Sequence, residues 1–88
     1  MNNDEAVADL PLTSEEFARA MTARLARKAR KAARLTQEAF SRTYGIPVAT
    51  LRDWEQGRRA PDAAAASYLR AITNNPKLIA QSLYPAST

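Results

Sequence analysis

LTQEAFSRTYGIPVATLRDWEQGRR, residues 35–59, holds two short helical patterns separated by Gly45 and Pro47 and closes on Arg58 and Arg59. Phe40, Ser41 and Tyr44 recur at the three- and four-residue spacing of one helix face, and Leu51, Trp54 and Glu55 repeat that spacing in the second pattern. Gly45 takes a positive φ at no steric cost, which ends the first helix, and Pro47 fits at or beside the start of the second. Helices joined by so short a turn cross steeply.

These residues resemble a known family. Leu-Thr-Gln-Glu, then Phe-Ser and Tyr-Gly-Ile, then Thr-Leu-Arg-Asp-Trp-Glu-Gln-Gly-Arg are similar to the DNA-binding domain of the phage-repressor and Cro family, the XRE-type helix-turn-helix regulators. The nearest subgroup is that of HigA-type antitoxins. The resemblance runs from about Ala29 to Leu83. It implies an all-α, five-helix, lambda-repressor-like DNA-binding domain with its helix-turn-helix at the second and third helices, about residues 36–57.

The rest of the chain reads in the same direction. Its 88 residues make one small domain with little room for an enclosed active site. There is no Cys and no His, which removes disulfides, the usual zinc ligands, thiol nucleophiles and the commonest general base. An enzyme is not expected, nor a metal, nor a cofactor. No apolar run reaches the roughly 20 residues of a membrane span, and the N-terminus is acidic where a signal peptide is basic, so the chain reads as cytoplasmic with no membrane partner. The net charge of +4 conceals an asymmetry: Asp4, Glu5, Asp9, Glu15 and Glu16 give residues 1–16 a charge of −5, and the remainder carries thirteen bases against four acids. A polyanionic partner suits that remainder.

Residues 1–12 read as a mobile acidic arm, residues 13–84 as the domain and residues 85–88 as a short tail. Thr13 with Glu16 has the capping-box form, and Phe17, Met21, Leu25, Ala29 and Ala32 form an apolar stripe at helical spacing. This segment is either one long helix or two broken near Thr22. The second helix follows Thr36 and runs to about Tyr44, and the third spans about Val48 to Gln56. Pro61 and Asp62 open a fourth with Tyr68, Leu69 and Ile72 inward, and Asn75 and Pro76 open a fifth. Leu78, Ile79, Leu83 and Tyr84 offer a self-complementary patch for a homodimer. No segment alternates with period two, so no strand is predicted.

In a helix-turn-helix the second helix of the motif lies in the major groove. Its outward residues are Val48, Ala49, Arg52 and Asp53, and the resemblance makes these the base-reading positions. Val48 and Ala49 suit a thymine methyl, and Arg52 suits a bidentate pair with guanine. Asp53 either accepts from cytosine N4 or holds Arg52 or Arg59 in place; holding is favoured, because a carboxylate near phosphates is costly unless paired. Gln37, Gln56, Arg58 and Arg59 are assigned to phosphates, the glutamine at 37 by its family counterpart. Arg42 faces solvent. Trp54 is assigned to the core rather than to base stacking. Arg30 and Glu55 match family positions that form an ion pair between the first and third helices.

Three departures from the family pattern stand out. Arg34 occupies a position that is usually glycine, so the first helix either ends differently or runs one residue further. Ser41 stands where alanine is usual, and its hydroxyl has the Gln37 carbonyl within reach. Pro47 replaces the usual capping serine or threonine and leaves one N-terminal donor of the third helix to water or phosphate. The expected partner is an operator in double-stranded DNA, with a small basic toxin as a second partner if the antitoxin reading holds. The alternative is a protein-interaction adaptor that keeps the fold without specific DNA binding.

Overall fold

A computed structural model of the protein describes residues 13–84, so the arm at 1–12 and the tail at 85–88 lie outside the described residues. Among the described residues five helices follow one another: α1 (Ser14–Ala33), α2 (Gln37–Tyr44), α3 (Val48–Glu55), α4 (Ala63–Asn74) and α5 (Pro76–Leu83). No strand occurs among the described residues.

Local chemistry sets each start. The Thr13 hydroxyl accepts from the Glu16 backbone N–H (3.0 Å), and the Glu16 carboxylate accepts from that of Thr13 (2.9 Å). These bonds hold the Glu16 carboxyl below its usual pKa, the backbone bond from Thr13 contributing most. Thr36 accepts from the Ala39 N–H (3.1 Å), and Asp62 accepts from that of Ala65 (2.8 Å). Pro47 makes no side-chain cap, so the first-turn donors of α3 have no such acceptor. α5 starts on Pro76, whose missing N–H is one the helix start does not need.

The first three helices end alike, each with a left-handed residue just past its last turn: Arg34 (φ 61°), Gly45 (φ 73°) and Gly57 (φ 72°). In each case the following N–H reaches back five residues, from Leu35 to the Arg30 carbonyl (3.4 Å), from Ile46 to Ser41 (3.2 Å) and from Arg58 to Asp53 (2.9 Å). α1 thus stops at Ala33 although no glycine is there, and Arg34 itself takes the glycine conformation. The first helix is a single one, unbroken at Thr22, whose hydroxyl bonds back to the Ala18 carbonyl (2.8 Å).

The core is built from Ala26 and Ala29 of α1, Phe40 and Tyr44 of α2, Leu51 and Trp54 of α3, and Leu69 and Ile72 of α4, joined by Ile46 of the turn. Phe40 and Tyr44 meet at 4.7 Å between ring centres. Two tyrosine hydroxyls tie the helices together: Tyr44 donates to the Pro76 carbonyl (2.8 Å) and Tyr68 to the Tyr44 carbonyl (2.6 Å). Burial raises both phenol pKa values.

Two expectations are corrected here. The apolar stripe on α1 is buried only in part: Phe17 and Met21 are 56% and 48% exposed, Leu25 packs at the edge of the core, and Ala23 and Ala26, outside the stripe, are buried together with Ala29. α1 packs mainly against α4 and α3, and small side chains let it come close to α4, where Ala66 is also buried. Its first two turns run on past that contact. At the other site, the Ser41 hydroxyl does not bond to Gln37; it is buried with no partner among the described residues. In the self-complementary patch, Ile79 packs against the core, while Leu78, Leu83 and Tyr84 are exposed and the Tyr84 hydroxyl donates to the Arg42 carbonyl (3.3 Å).

Two substitutions test this account by thermal unfolding. Arg34→Gly relieves a left-handed non-glycine residue at about 1–2 kcal/mol and loosens the unfolded chain by somewhat less, so it is expected to stabilise by about 0.5–1 kcal/mol. Ser41→Ala removes a buried hydroxyl that has no partner and is expected to stabilise by about 1 kcal/mol. Each rise in Tm falls near 4–8 °C per kcal/mol for a domain of this size, and a fall in Tm for either variant contradicts its premise.

Candidate nucleic-acid interface

Glu55, the last residue of α3, is 6% exposed, and it is the charged residue that most needs partners. It has four. Arg30 of α1 meets it side-on, Nε donating to Oε2 (2.7 Å) and Nη2 to Oε1 (2.9 Å). The Gln37 amide of α2 donates to the same Oε1 (3.1 Å), and Arg27 Nη1 donates to the Glu55 backbone carbonyl. The remaining Nη1 of Arg30 donates to the Leu35 carbonyl (3.2 Å), in the loop between α1 and α2. The bonds to the Glu55 carboxylate hold the Arg30 guanidinium above its usual pKa. One carboxylate therefore ties α1, α2 and α3 at a single point.

From that point a polar chain runs outward. Gln37 gives one amide N–H to Glu55, and its Oε1 accepts from Arg52 Nε (3.2 Å) on the outer side of α3. Arg52 Nη2 donates to Glu38 Oε2 (2.8 Å). The role of Glu38 as a partner of Arg52 depends on how α2 crosses α3. Gln37, expected at a phosphate, has its side chain bonded to both Glu55 and Arg52 within the protein, and its backbone N–H stands at the start of α2, where a helix favours an anion.

The other α3 positions sort by exposure. Ala49 is exposed, and Val48 is half-buried over a shallow groove bordered by Ser41, Ile46 and Pro47. Asp53 is half-buried and meets Arg58 Nη1 (3.5 Å) and Arg59 Nε (3.4 Å), both from the loop after α3. Of the holding roles open to Asp53, the one toward Arg59 is present and extends to Arg58, while Arg52 goes to α2. Gln56, Arg58 and Arg59 are all exposed. Val48, Ala49, Arg52 and Asp53 thus lie along one side of α3, with the basic loop at its end. Arg42 is exposed on α2 and contributes its carbonyl to Tyr84.

Trp54 is buried in the core and has no face free for a base. Arg24, Arg27, Lys28 and Lys31 add exposed positive charge along α1. No cluster of three acidic side chains suited to a metal ion occurs among the described residues, and no described helix is long and apolar enough to cross a membrane.

The Glu55 pair makes a stability prediction. Glu55→Ala leaves Arg30 without its carboxylate, and the expected cost is about 3 kcal/mol, the low end for a buried pair because the Arg30 side chain keeps 29% of its exposure. Replacing both partners by methionine is expected to recover most of that loss, since apolar side chains need no partner. Urea unfolding of the single and double variants measures the difference; a double variant no better than the single one contradicts it.

Residues 27–67 match the family model described as helix-turn-helix. No curated protein and no solved structure matches the chain. The matched span includes the Arg30–Glu55 contact, all of α2 and α3, and the basic loop after them. The fold is all-α, with five helices among the described residues, and is consistent with a lambda-repressor-like domain whose helix-turn-helix is α2 and α3.

Proposed function

We propose that the chain is a cytoplasmic, sequence-specific regulator of transcription that binds double-stranded DNA, an autoregulating repressor acting as a homodimer on two half-sites one helical turn, about 34 Å, apart. The observation that carries this reading is the coincidence of the helix-turn-helix match with α2 and α3, whose outer side bears Ala49, Arg52 and the loop arginines. In this reading α3 enters the major groove. Val48 and Ala49 contact thymine methyl groups, and Arg52 pairs with a guanine. Asp53 holds Arg58 and Arg59 until phosphate replaces it. Those two arginines, Gln56 and the N-terminus of α2 at Gln37 fix the register on the backbone.

The finer antitoxin reading, the one closest to HigA-type regulators, adds a small basic ribonuclease toxin as partner. It draws support from the resemblance and from the −5 charge of residues 1–16. Co-purification with a small basic protein encoded beside this chain supports it, and the absence of such a neighbour removes it.

Binding to duplex DNA as a function of salt separates the regulator from an adaptor that merely keeps the fold. Several phosphate contacts give a steep negative slope of log K against log salt, and an adaptor gives a flat one. Within the regulator, Arg52→Ala is expected to weaken operator binding by about 1–3 kcal/mol and random DNA far less. Arg59→Ala is expected to weaken both alike and to lower the slope by about 1. Equal losses for the two variants sink the assignment.

A further inference from the structure

Arg58 and Arg59 meet an acid five and six residues back in their own segment, but Arg52 is held by a different helix. A guanidinium has five N–H groups in a fixed plane, one on Nε and two on each Nη. Gln37 takes the Nε hydrogen and Glu38 takes one from Nη2, which together occupy the side edge of the group. The end edge, with one hydrogen on each Nη, stays open. Two parallel donors at that edge are what O6 and N7 of guanine require.

We propose that Glu38, assisted by Gln37, is a specificity-determining positioning residue, holding Arg52 by its side edge so that its end edge meets a single guanine. This rests on the DNA-reading role of α3 given above. The hold is anchored in the core, because Gln37 is itself fixed to Glu55 Oε1 (3.1 Å) and Glu55 is buried against Arg30. Fixing the guanidinium before binding removes rotamers that would otherwise have to be lost on the DNA. It also accounts for a carboxylate on a surface meant for phosphates. Glu38 lowers affinity for every sequence by repulsion, and what it adds is discrimination at one base pair.

Two replacements separate positioning from charge. Glu38→Ala and Glu38→Gln both remove the negative charge, but the amide oxygen of glutamine still accepts from Arg52 Nη2. Each chain, with the wild type and Arg52→Ala, is used to select duplexes from a random library. The position at which Arg52→Ala loses guanine identifies the base in question. Glu38→Ala is expected to lose guanine preference there by about tenfold or more, in line with the loss of a well-made bidentate pair, while other positions keep theirs. Glu38→Gln is expected to keep most of it. Both variants are expected to bind random duplex more tightly than the wild type.

If the two variants select alike, or both keep the wild-type preference, Glu38 acts through charge alone and the proposal is overturned. A wild-type chain that enriches no duplex sequence overturns the DNA-reading role together with it, and that outcome is distinct from the first.

Discussion

The Glu55 carboxylate is the constraint on which the arrangement of the first three helices depends. A charge in so dry a place is tolerated only with a full set of donors, and these come from two other helices, Arg30 of α1 and Gln37 of α2. α1 and α2 meet over little shared surface, whereas each packs on α3. The carboxylate at the end of α3 therefore fixes a relation that apolar packing alone leaves loose. Leu51 and Trp54 supply hydrophobic stabilisation on the same helix, but contacts of that kind are non-directional. The bidentate geometry sets the rotation of α3, and so decides which residues of that helix point outward.

The three left-handed helix ends complete the frame. Each reverses the chain within two or three residues while satisfying its own last carbonyls, so the loops need few bonds from elsewhere. At Gly45 and Gly57 the residue suits the conformation. At Arg34 it does not, and the strain is borne next to the Arg30–Glu55 contact, where Arg30 Nη1 also holds the Leu35 carbonyl. That bond fixes the loop leading into Thr36, the cap from which α2 starts.

The parts that local chemistry decides were legible in the chain. Thr13 with Glu16, Thr36, Gly45, Gly57, Asp62 and Pro76 mark helix ends by themselves, and all five helices lie where those residues place them. What the sequence hid depends on how the helices cross. On α1 the row Phe17, Met21, Leu25 is the more hydrophobic, but Ala23, Ala26 and Ala29 are the buried residues of a helix that packs mainly against α4 and α3. Spacing within a helix says nothing of which neighbours lie against it. The same holds at the candidate interface. Arg52 is visible as an outward arginine, but its partners Gln37 and Glu38 sit fifteen and fourteen residues away and meet it only through the angle between α2 and α3.

Burial separates two uses of one chemistry in this small domain. The Arg30–Glu55 pair is largely sealed, so breaking it strands a charge and costs stability. The pairs of Arg52 with Glu38 and of Asp53 with Arg58 and Arg59 are open to solvent, where an ion pair is worth about 0–1 kcal/mol. Such pairs hold a side chain in place without opposing its exchange to a stronger partner. In the proposed DNA-binding role, a backbone phosphate carries one negative charge, as Asp53 does, but its contact releases condensed counterions, and so it replaces Asp53 at these arginines at little cost. Arg52 differs because its hold comes from the side and leaves an edge free, so the guanine contact proposed for it needs no bond displaced. The buried pair thus supplies geometry and the exposed pairs supply readiness, and Gln37, bonded to both Glu55 and Arg52, connects the two.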